Sequence, residues 1–230
     1  GLSLTVLPRL TAAQDATPVA EVTPIDHAAL PLKQEGKLIV HADQPLYEPW
    51  FIDNDPTNGK GFESALVYAL AEQLGFARED VEWGYTAFNA SYAPGPKDFD
   101  FYLTEVSITE PRKQAVAFSD GYYSTPFVII APDNSPAQDA KTLEDLRQYR
   151  FGTLVNSSYA TYITDVIKPE PELSVFNTNA EAIQALANGQ TDVNVESLQI
   201  AVEVTTDQFP DLGIVGILPD AGVQQQHELE

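Results

Sequence analysis

Apolar strands and amphipathic helices alternate along the chain from about residue 37. Leu38 to Val40 predicts a buried strand, and apolar residues then recur at helical spacing from Phe62 to Leu74. Further apolar runs predict strands at Tyr123 to Ala131 and at Phe151 to Val155. Helices that alternate with strands indicate an α/β fold with open sheets, in which ligands bind outside the carboxyl ends of the strands.

The second half of the chain continues this alternation. Ser157 or Ser158 is expected to cap one helix, and Asn179 is expected to cap another that ends near Gly189. The apolar run from Leu212 to Leu218 predicts a strand that crosses back. Each candidate binding residue therefore lies in a connection between a strand and a helix.

The most informative stretch lies between Asp100 and Tyr123. A predicted strand, Phe99 to Leu103, leads into polar residues, and Thr109 can then cap a short helix that carries Arg112 one turn in. Hydroxyls, free backbone N–H groups and a guanidinium would thus point at one place, which suits a small carboxylate. An ordinary solvated arginine on a surface helix is the alternative, and the local pattern does not decide between the two.

Several motifs follow one another in a characteristic order. They are Asp100, Thr104, Ser107-Ile-Thr109, Arg112-Lys113 and Phe118–Tyr123, flanked by Lys37–Val40, Gly61–Glu63, Leu143–Leu146 and Asn179–Ala182. Together they resemble the signature of the family 3 extracellular solute-binding proteins, the amino-acid receptors of bacterial ABC importers. The resemblance spans roughly residues 37–220, and it is more specific for the fold than for the ligand.

The resemblance implies an α/β, two-lobed, periplasmic-binding-protein-like fold of type II. Each lobe is expected to be a central sheet flanked by helices, with the ligand in the cleft between the lobes. Residues 1–36 would be a signal-peptide remnant or flexible leader, 37–124 lobe 1 and 125–215 lobe 2. Residues 216–230 would begin a return towards lobe 1 that is incomplete against the family pattern.

The resemblance also implies where the ligand's carboxylate is held. The expected residues are Thr104, Ser107 and Arg112 of lobe 1 and Asn156, Ser157 and Ser158 of lobe 2. Two helix N-termini, small hydroxyls and a fork-shaped cation form a physically sensible anion site. Capping of the lobe 2 helix by Ser157 or Ser158 does not conflict with ligand contact.

Aromatic residues are expected to form the pocket for the ligand's side chain. Tyr47, Trp50 and Phe88 have flat faces that can enclose an aliphatic stem or a guanidinium, although aromatic residues more often belong to a core. Asp43 would meet a cationic ligand tip, or it would cap the turn at Pro45.

Two positions depart from the family pattern near the expected ligand ammonium group. Where many members carry an aspartate, this chain has Ser197, preceded by Glu196. If Glu196 takes the place of that aspartate, its position is shifted by one residue. Such a shift points a strand side chain to the opposite face unless a bulge intervenes. Glu105 lies where small residues are usual, and it either receives an ammonium group or points away. These departures weaken the expectation of a standard α-amino acid and keep that of a small zwitterion or modified amino acid.

Composition excludes several other classes of function. Lys and Arg number 12 against 34 Asp and Glu, a formal net charge of −22, whereas nucleic-acid binding requires a basic patch. The absence of cysteine excludes disulfides and a thiolate metal site or nucleophile, and the three histidines show no metal-ligand spacing. No cofactor and no metal are therefore expected.

We expect a receptor without catalytic residues that captures a small amino-acid-like solute by hinge closure and delivers it to an ABC permease. It would be monomeric and periplasmic or extracellular, either secreted or tethered at the outer face of the cytoplasmic membrane. One alternative is a dehydratase-type enzyme on the same fold, with Glu105 or Glu196 as a general acid. The other is the sensory ligand-binding domain of a signalling receptor.

Overall fold

The computed structural model describes residues 30–221, which contain two separate sheets with helices packed on them. The strands are β1 (Leu38–Ala42), β2 (Val81–Tyr85), β3 (Phe101–Tyr102), β4 (Phe127–Pro132), β5 (Phe151–Leu154), β6 (Ser174–Phe176), β7 (Val193–Ser197) and β8 (Leu212–Ile217). The α-helices are α1 (Phe62–Gln73), α2 (Phe88–Ser91), α3 (Glu110–Lys113), α4 (Leu143–Leu146), α5 (Ser158–Tyr162), α6 (Asn179–Ala187) and α7 (Leu198–Glu203). Single π-helical turns extend α5 and α7, at Ile163–Ile167 and Val204–Gln208.

Lobe 1 is a parallel sheet with the strand order β2-β1-β3. Alternate residues of β1, Leu38 and Val40, are buried and pack with Val67 and Ala71 of α1. The carboxyl ends of the three strands lie at one edge, because the strands are parallel. The loops that leave this edge carry the predicted ligand-binding residues of lobe 1.

Lobe 2 is a five-stranded sheet with the order β6-β5-β7-β4-β8. In β4, Phe127 and Ile129 face one apolar core, whereas Val128 and Ile130 face the other. A strand that is buried on both faces is expected to be a continuous apolar run, and β4 has this pattern. The strand is antiparallel to both of its neighbours, β7 and β8.

The first connection between the lobes leads into β4 and runs beside the segment that follows β8. Leu218 N donates to Phe127 O over 2.8 Å. Tyr123 lies on the first connection, where its ring packs against Trp50 of lobe 1 and its hydroxyl accepts from Gln199 Nε2 of lobe 2. A connection of this kind suits a hinge.

The expected α/β organisation in two sheets is confirmed, with two local corrections. The strand predicted from Tyr123 begins only at Phe127, because Tyr123 packs on Trp50 and Pro126 has no N–H to donate. Asn179 was expected to cap α6, but Thr178 does so, in a capping box with Glu181.

The boundaries given to the two lobes, and the return after residue 215, stay predictions. The expectations for the leader and for the chain end fall mostly on residues 1–29 and 222–230, outside the described residues. Between residues 30 and 221, no helix is long and apolar enough to cross a membrane.

Candidate functional site

Arg112 lies where the two lobes meet. Thr109 caps α3 and accepts from the Arg112 backbone N–H, as the sequence predicted. The guanidinium is buried, with 7% of the residue exposed; Nη1 donates to Ser107 O over 3.0 Å and Nη2 to Asn156 O over 3.2 Å. The alternative of a solvated surface arginine is therefore wrong. Arg112 is buried away from solvent, and its guanidinium is hydrogen-bonded to both lobes.

A pair of hydroxyls lies beside this arginine. Ser107 Oγ of lobe 1 and Ser158 Oγ of lobe 2 are 3.0 Å apart, and both residues are buried. Ser158 is the first residue of α5. Ser157 caps this helix: Ser157 Oγ accepts from Ala160 N and donates to Leu154 O. The N-terminus of α5 and both hydroxyls, which the sequence predicted to hold a carboxylate, thus lie next to one another.

Two aromatic rings flank the Arg112 guanidinium. Its Cζ lies 4.2 Å from the ring centroid of Tyr92 and 5.5 Å from that of Phe88, within the range of cation–π contacts. The Tyr92 hydroxyl lies 2.7 Å from Asn89 Oδ1 and 3.1 Å from Asn156 O, so these two acceptors share its proton. Asn156 O of lobe 2 thus contacts two donors of lobe 1, Tyr92 and Arg112. Sequence reasoning missed Tyr92, although it lies in a segment that matched the family.

Burial lowers the pKa of Arg112, because desolvation disfavours its charged form. Among residues 30–221, none forms an ion pair with this guanidinium. A buried cation of this kind is stabilised by a nearby anion. The arrangement therefore favours a small anionic group at Ser107 and Ser158.

Most of the other predicted residues surround one small cavity between the lobes. Its predicted lining residues are Asp43, Tyr47, Phe88, Thr104, Glu105, Ser107, Ser157 and Ser158, and the wall is completed by Pro45, Leu154, Tyr159, Asn179 and Ile200. The volume is about 50 Å³, room for only a few water molecules. A ligand as large as an amino acid therefore requires the lobes to move slightly apart.

Arg112 borders a second, wider groove of about 1150 Å³ that shares Ser157 and Ser158 with the cavity. Arg112 therefore lines the groove and not the cavity, whereas the two serines line both. A carboxylate placed at Ser158 would lie at the boundary of the two spaces, where Arg112 can exchange a backbone carbonyl for it.

Backbone groups hold Asp43 and Thr104 in the cavity wall. Thr104 Oγ1 accepts from Asp43 N over 3.0 Å, and Asp43 Oδ1 accepts from Phe88 N over 3.3 Å. Burial raises the pKa of Asp43, and hydrogen bonds from the backbone N–H groups of Gln44 and Phe88 to its carboxylate oppose the rise. Asp43 therefore fixes the position of Phe88 in addition to lining the cavity.

Trp50 does not line the cavity. Only 2% of it is exposed, and it packs with Leu46 and Phe51 in lobe 1 and edge-on against Tyr123. The prediction of a stacking residue rested on its aromatic character and on the resemblance of this loop to the family's ligand loop. Its large apolar ring gains more from burial in the core than from a place at a wet cleft.

Glu105 belongs to a buried acidic network that includes a residue missed from the sequence, Glu63. The backbone of Glu105 is left-handed, with φ 47°, and its N–H donates to Glu63 Oε1 over 2.8 Å. The Tyr122 hydroxyl donates to the same oxygen. Burial, followed by the charge of Glu63, raises the pKa of Glu105 well above its ordinary value, and burial also raises that of Glu63.

Glu196 and Ser197 have different roles. Ser197 caps α7, and its N–H donates to Tyr159 Oη over 3.1 Å. Glu196 is 1% exposed and accepts from Asn179 Nδ2 over 3.1 Å. The pairing of β7 with β4 is regular through both positions, so no bulge redirects either side chain. The Glu196 carboxylate thus lies behind Asn179, which itself lines the cavity.

Burial raises the pKa of Glu196 from the ordinary 4.5 to about 8, with the hydrogen bond from Asn179 opposing the rise. The folded protein therefore holds this proton at pH values where the unfolded chain has lost it. We expect the free energy of unfolding to fall as the pH rises from about 4.5 through about 8. Glu196→Gln should make this decline shallower when denaturant unfolding is measured over a series of pH values. The decline should not vanish, because Glu63 and Glu105, whose pKa values are also raised, remain.

Glu72→Gln is the matched control, since it removes a glutamate from the exposed side of α1. It should leave the slope of the wild-type protein unchanged. Parallel slopes for Glu196→Gln and the wild-type protein would contradict the role given to Glu196.

The chain is similar in sequence to known solute-binding proteins. A model of the bacterial extracellular solute-binding proteins, family 3, matches residues 38–157. A probable histidine-binding protein of Neisseria gonorrhoeae is 24% identical over 196 residues, which cover 84% of this chain and 71% of that protein. The L-arginine-binding protein of Pseudomonas aeruginosa is 26% identical over 163 residues, 67% of this chain and 61% of the relative. The histidine-binding periplasmic protein of Escherichia coli matches over only 44% of its own length.

Solved structures match about four fifths of the chain. The arginine-bound form of a truncated ArgBP from T. maritima is 26% identical, with a TM-score of 0.66 over 81% of this chain and 85% of that one. An ancestral arginine-binding protein bound to arginine is 27% identical, with a TM-score of 0.65 over 80% of each chain. An ancestral amino-acid-binding protein, a precursor of cyclohexadienyl dehydratase, is 25% identical with a TM-score of 0.66. The expected two-lobed fold of type II is thereby confirmed.

Proposed function

This chain belongs to the bacterial extracellular solute-binding proteins of family 3, and we propose that it captures a single small amino acid between its two lobes. The observation that carries the proposal is the buried Arg112 beside the Ser107 and Ser158 hydroxyls. A guanidinium, two hydroxyls and the N-terminus of α5 form a set of donors for a carboxylate. The set is shared between the lobes, so it is complete only when they meet.

Ligand binding would favour the closed arrangement for this reason. A carboxylate at Ser107 and Ser158 interacts with donors on both lobes, whereas in an open arrangement it would contact one lobe at a time. The connection that leads into Phe127, where Leu218 N donates to Phe127 O, would serve as the axis about which the lobes rotate. Closure would then present one shape of the protein to its transport partner.

Relatives named for histidine, arginine and glutamine support an amino acid as the ligand. We propose that the protein acts in the periplasm or outside the cell and delivers its ligand to the permease of an ABC importer. Membership of the family supports both the location and the permease.

We also propose that the protein binds its ligand without converting it. The relatives named above are binding proteins, which supports this view. One observation favours the enzyme alternative: Glu105 lines the cavity with a raised pKa, and a carboxyl group of that kind can act as a general acid. Product formation from a prephenate-type cyclohexadienyl acid would decide for the enzyme.

A thermal-shift series with L-arginine, L-histidine and L-glutamine tests the proposal. At about a hundred times its dissociation constant, a ligand adds roughly 2.7 kcal/mol to the free energy of unfolding, so the melting temperature should rise measurably. Argininamide and histidinamide are the matched controls, since each lacks the carboxylate that Arg112 and Ser158 would hold. Equal shifts for an acid and its amide would remove the carboxylate from this site, and no shift with any amino acid would count against the receptor.

A further inference from the structure

Glu63 is fully buried in the first turn of α1, although it lines neither the cavity nor the groove. Burying a carboxyl group is unfavourable unless hydrogen bonds compensate for it. Its Oε1 accepts from the Glu105 backbone N–H over 2.8 Å and from the Tyr122 hydroxyl. Among the described residues, its Oε2 is buried without a partner. One oxygen of Glu63 thus joins two segments that are distant in the sequence.

The first of these segments is part of the cavity wall. Glu105 lines the cavity together with its neighbours Thr104 and Ser107. The Glu105 backbone has φ 47°, in the left-handed region that disfavours an L side chain. Such a conformation persists only where the surrounding structure holds it, and the hydrogen bond to Glu63 supplies this hold. Glu63 therefore fixes the path of the backbone beside the Ser107 hydroxyl.

The second segment is the lobe 1 end of the first connection between the lobes. The Tyr122 ring stacks on Phe62 of α1, with the ring centroids 6.1 Å apart and the planes inclined by 25°. The next residue, Tyr123, is hydrogen-bonded to lobe 2, because its hydroxyl accepts from Gln199 Nε2 over 2.7 Å. A rotation of the lobes must be taken up where the chain passes from one anchor to the other. Glu63 thus holds the end of the connection that moves with lobe 1.

We propose that Glu63 is a positioning residue for ligand capture, which ties the cavity wall at Glu105 to the first connection at Tyr122. Because one oxygen accepts from both segments, a displacement of either one disturbs the hydrogen bond of the other. The carbonyl oxygen of a carboxyl group accepts hydrogen bonds in the protonated and in the ionised form, so the link exists in both. This role rests on the amino-acid receptor proposed above and extends it to residues outside the cavity.

Tyr122→Phe tests the link with a small change, since it removes the hydroxyl and keeps the ring on Phe62. Although Tyr122 does not line the cavity, the variant should bind the ligand about fivefold more weakly or worse, as is usual for coupling between separate sites. Calorimetry measures this loss. The ligand used is whichever of L-arginine, L-histidine and L-glutamine raises the melting temperature of the wild-type protein.

Tyr68→Phe is the matched control. The Tyr68 hydroxyl donates to Thr57 O over 2.9 Å and accepts from Trp83 Nε1 over 3.2 Å, entirely within lobe 1. The control loses a hydroxyl from the same lobe but leaves the Glu63 link intact, so it should keep the wild-type affinity.

Variants of Glu63 identify the atom that matters. Glu63→Gln keeps an acceptor oxygen and should bind the ligand as the wild-type protein does, whereas Glu63→Ala should lose affinity as Tyr122→Phe does. Adding Tyr122→Phe to Glu63→Ala should cause no further loss, because both changes break the same link. If Glu63→Ala does not fold, Tyr122→Phe and Glu63→Gln still test the proposal.

Spin labels on the two lobes report the motion itself. The chain has no cysteine, so Ala69→Cys on α1 and Ala187→Cys on α6, both exposed positions, would carry the only labels. Without ligand, Tyr122→Phe should broaden the distribution of distances between the labels, because the lobe 1 end of the connection is no longer fixed. Tyr68→Phe should give the wild-type distribution.

The outcomes separate this role from the receptor on which it rests. Wild-type affinity in Tyr122→Phe, or additive losses in the double variant, would overturn the link and leave the receptor intact. An equal loss in Tyr68→Phe would also overturn the link, since a general loss of stability would then explain the effect. A wild-type protein that binds none of the amino acids would overturn the receptor, whereas the label distances, measured without ligand, would still test the link.

Discussion

Arg112→Ala should lower the affinity for an amino-acid ligand by about 100-fold or more, the loss of about 3 kcal/mol that is usual when one partner of a buried charged pair is removed. The guanidinium is buried, and among residues 30–221 it has no acidic partner. Its proposed partner is therefore the ligand carboxylate. The variant also loses the hydrogen bond to Asn156 O, which joins the lobes.

Arg112→Lys is the appropriate comparison in the same calorimetric titration. Lysine keeps the charge but lacks the planar fork that reaches Ser107 O and Asn156 O together, so it should recover only part of the affinity. Wild-type affinity in Arg112→Ala would mean that the ligand carboxylate lies elsewhere.

Gly61→Ala should lower the free energy of unfolding by about 3 kcal/mol or more, because two separate penalties add. Gly61 has φ +89°, in a region that disfavours an L side chain. A Cβ at this position would also lie 2.4 Å from Trp50 O and 2.8 Å from Phe51 Cα, and backbone atoms cannot move aside as the end of a side chain can. Chemical denaturation with the wild-type protein as reference measures the loss.

Gly189→Ala separates the two penalties. Gly189 has φ +71°, but a Cβ there would meet nothing within 4 Å, so only the backbone penalty of about 1 kcal/mol is expected. A similar loss in both variants would show that Trp50 and Phe51 yield to the new Cβ without cost.

The helix caps next to Arg112 and Ser158 could be predicted because the information for them is local. Thr109 caps a helix that carries Arg112 one turn in, and Ser157 caps the helix that begins at Ser158. Capping depends on residues that are close together in the sequence. The pattern of strand, cap and helix therefore predicts where Arg112 and Ser158 lie in their helices without knowledge of any tertiary contact.

The directions of the Glu63 and Asn179 side chains could not be predicted in the same way, because they depend on tertiary packing. Glu63 has the sequence pattern of a favourable acid in the first turn of a surface helix, yet it is fully buried and holds the Glu105 backbone. Asn179 has the pattern of a helix cap, but Thr178 and Glu181 form a capping box and release its side chain towards Glu196. In both cases the sequence predicts the helix but does not predict the direction in which the side chain points.

The Asn156 carbonyl has a kinetic consequence. It accepts from Tyr92 and from Arg112, and both hydrogen bonds exist only while the lobes touch. A ligand enclosed between the lobes cannot leave until these bonds break, whereas its first encounter with an open lobe does not involve them. Tyr92→Phe should therefore shorten the residence time of the ligand and leave the association rate nearly unchanged, because the strength of such contacts appears mainly in the dissociation rate.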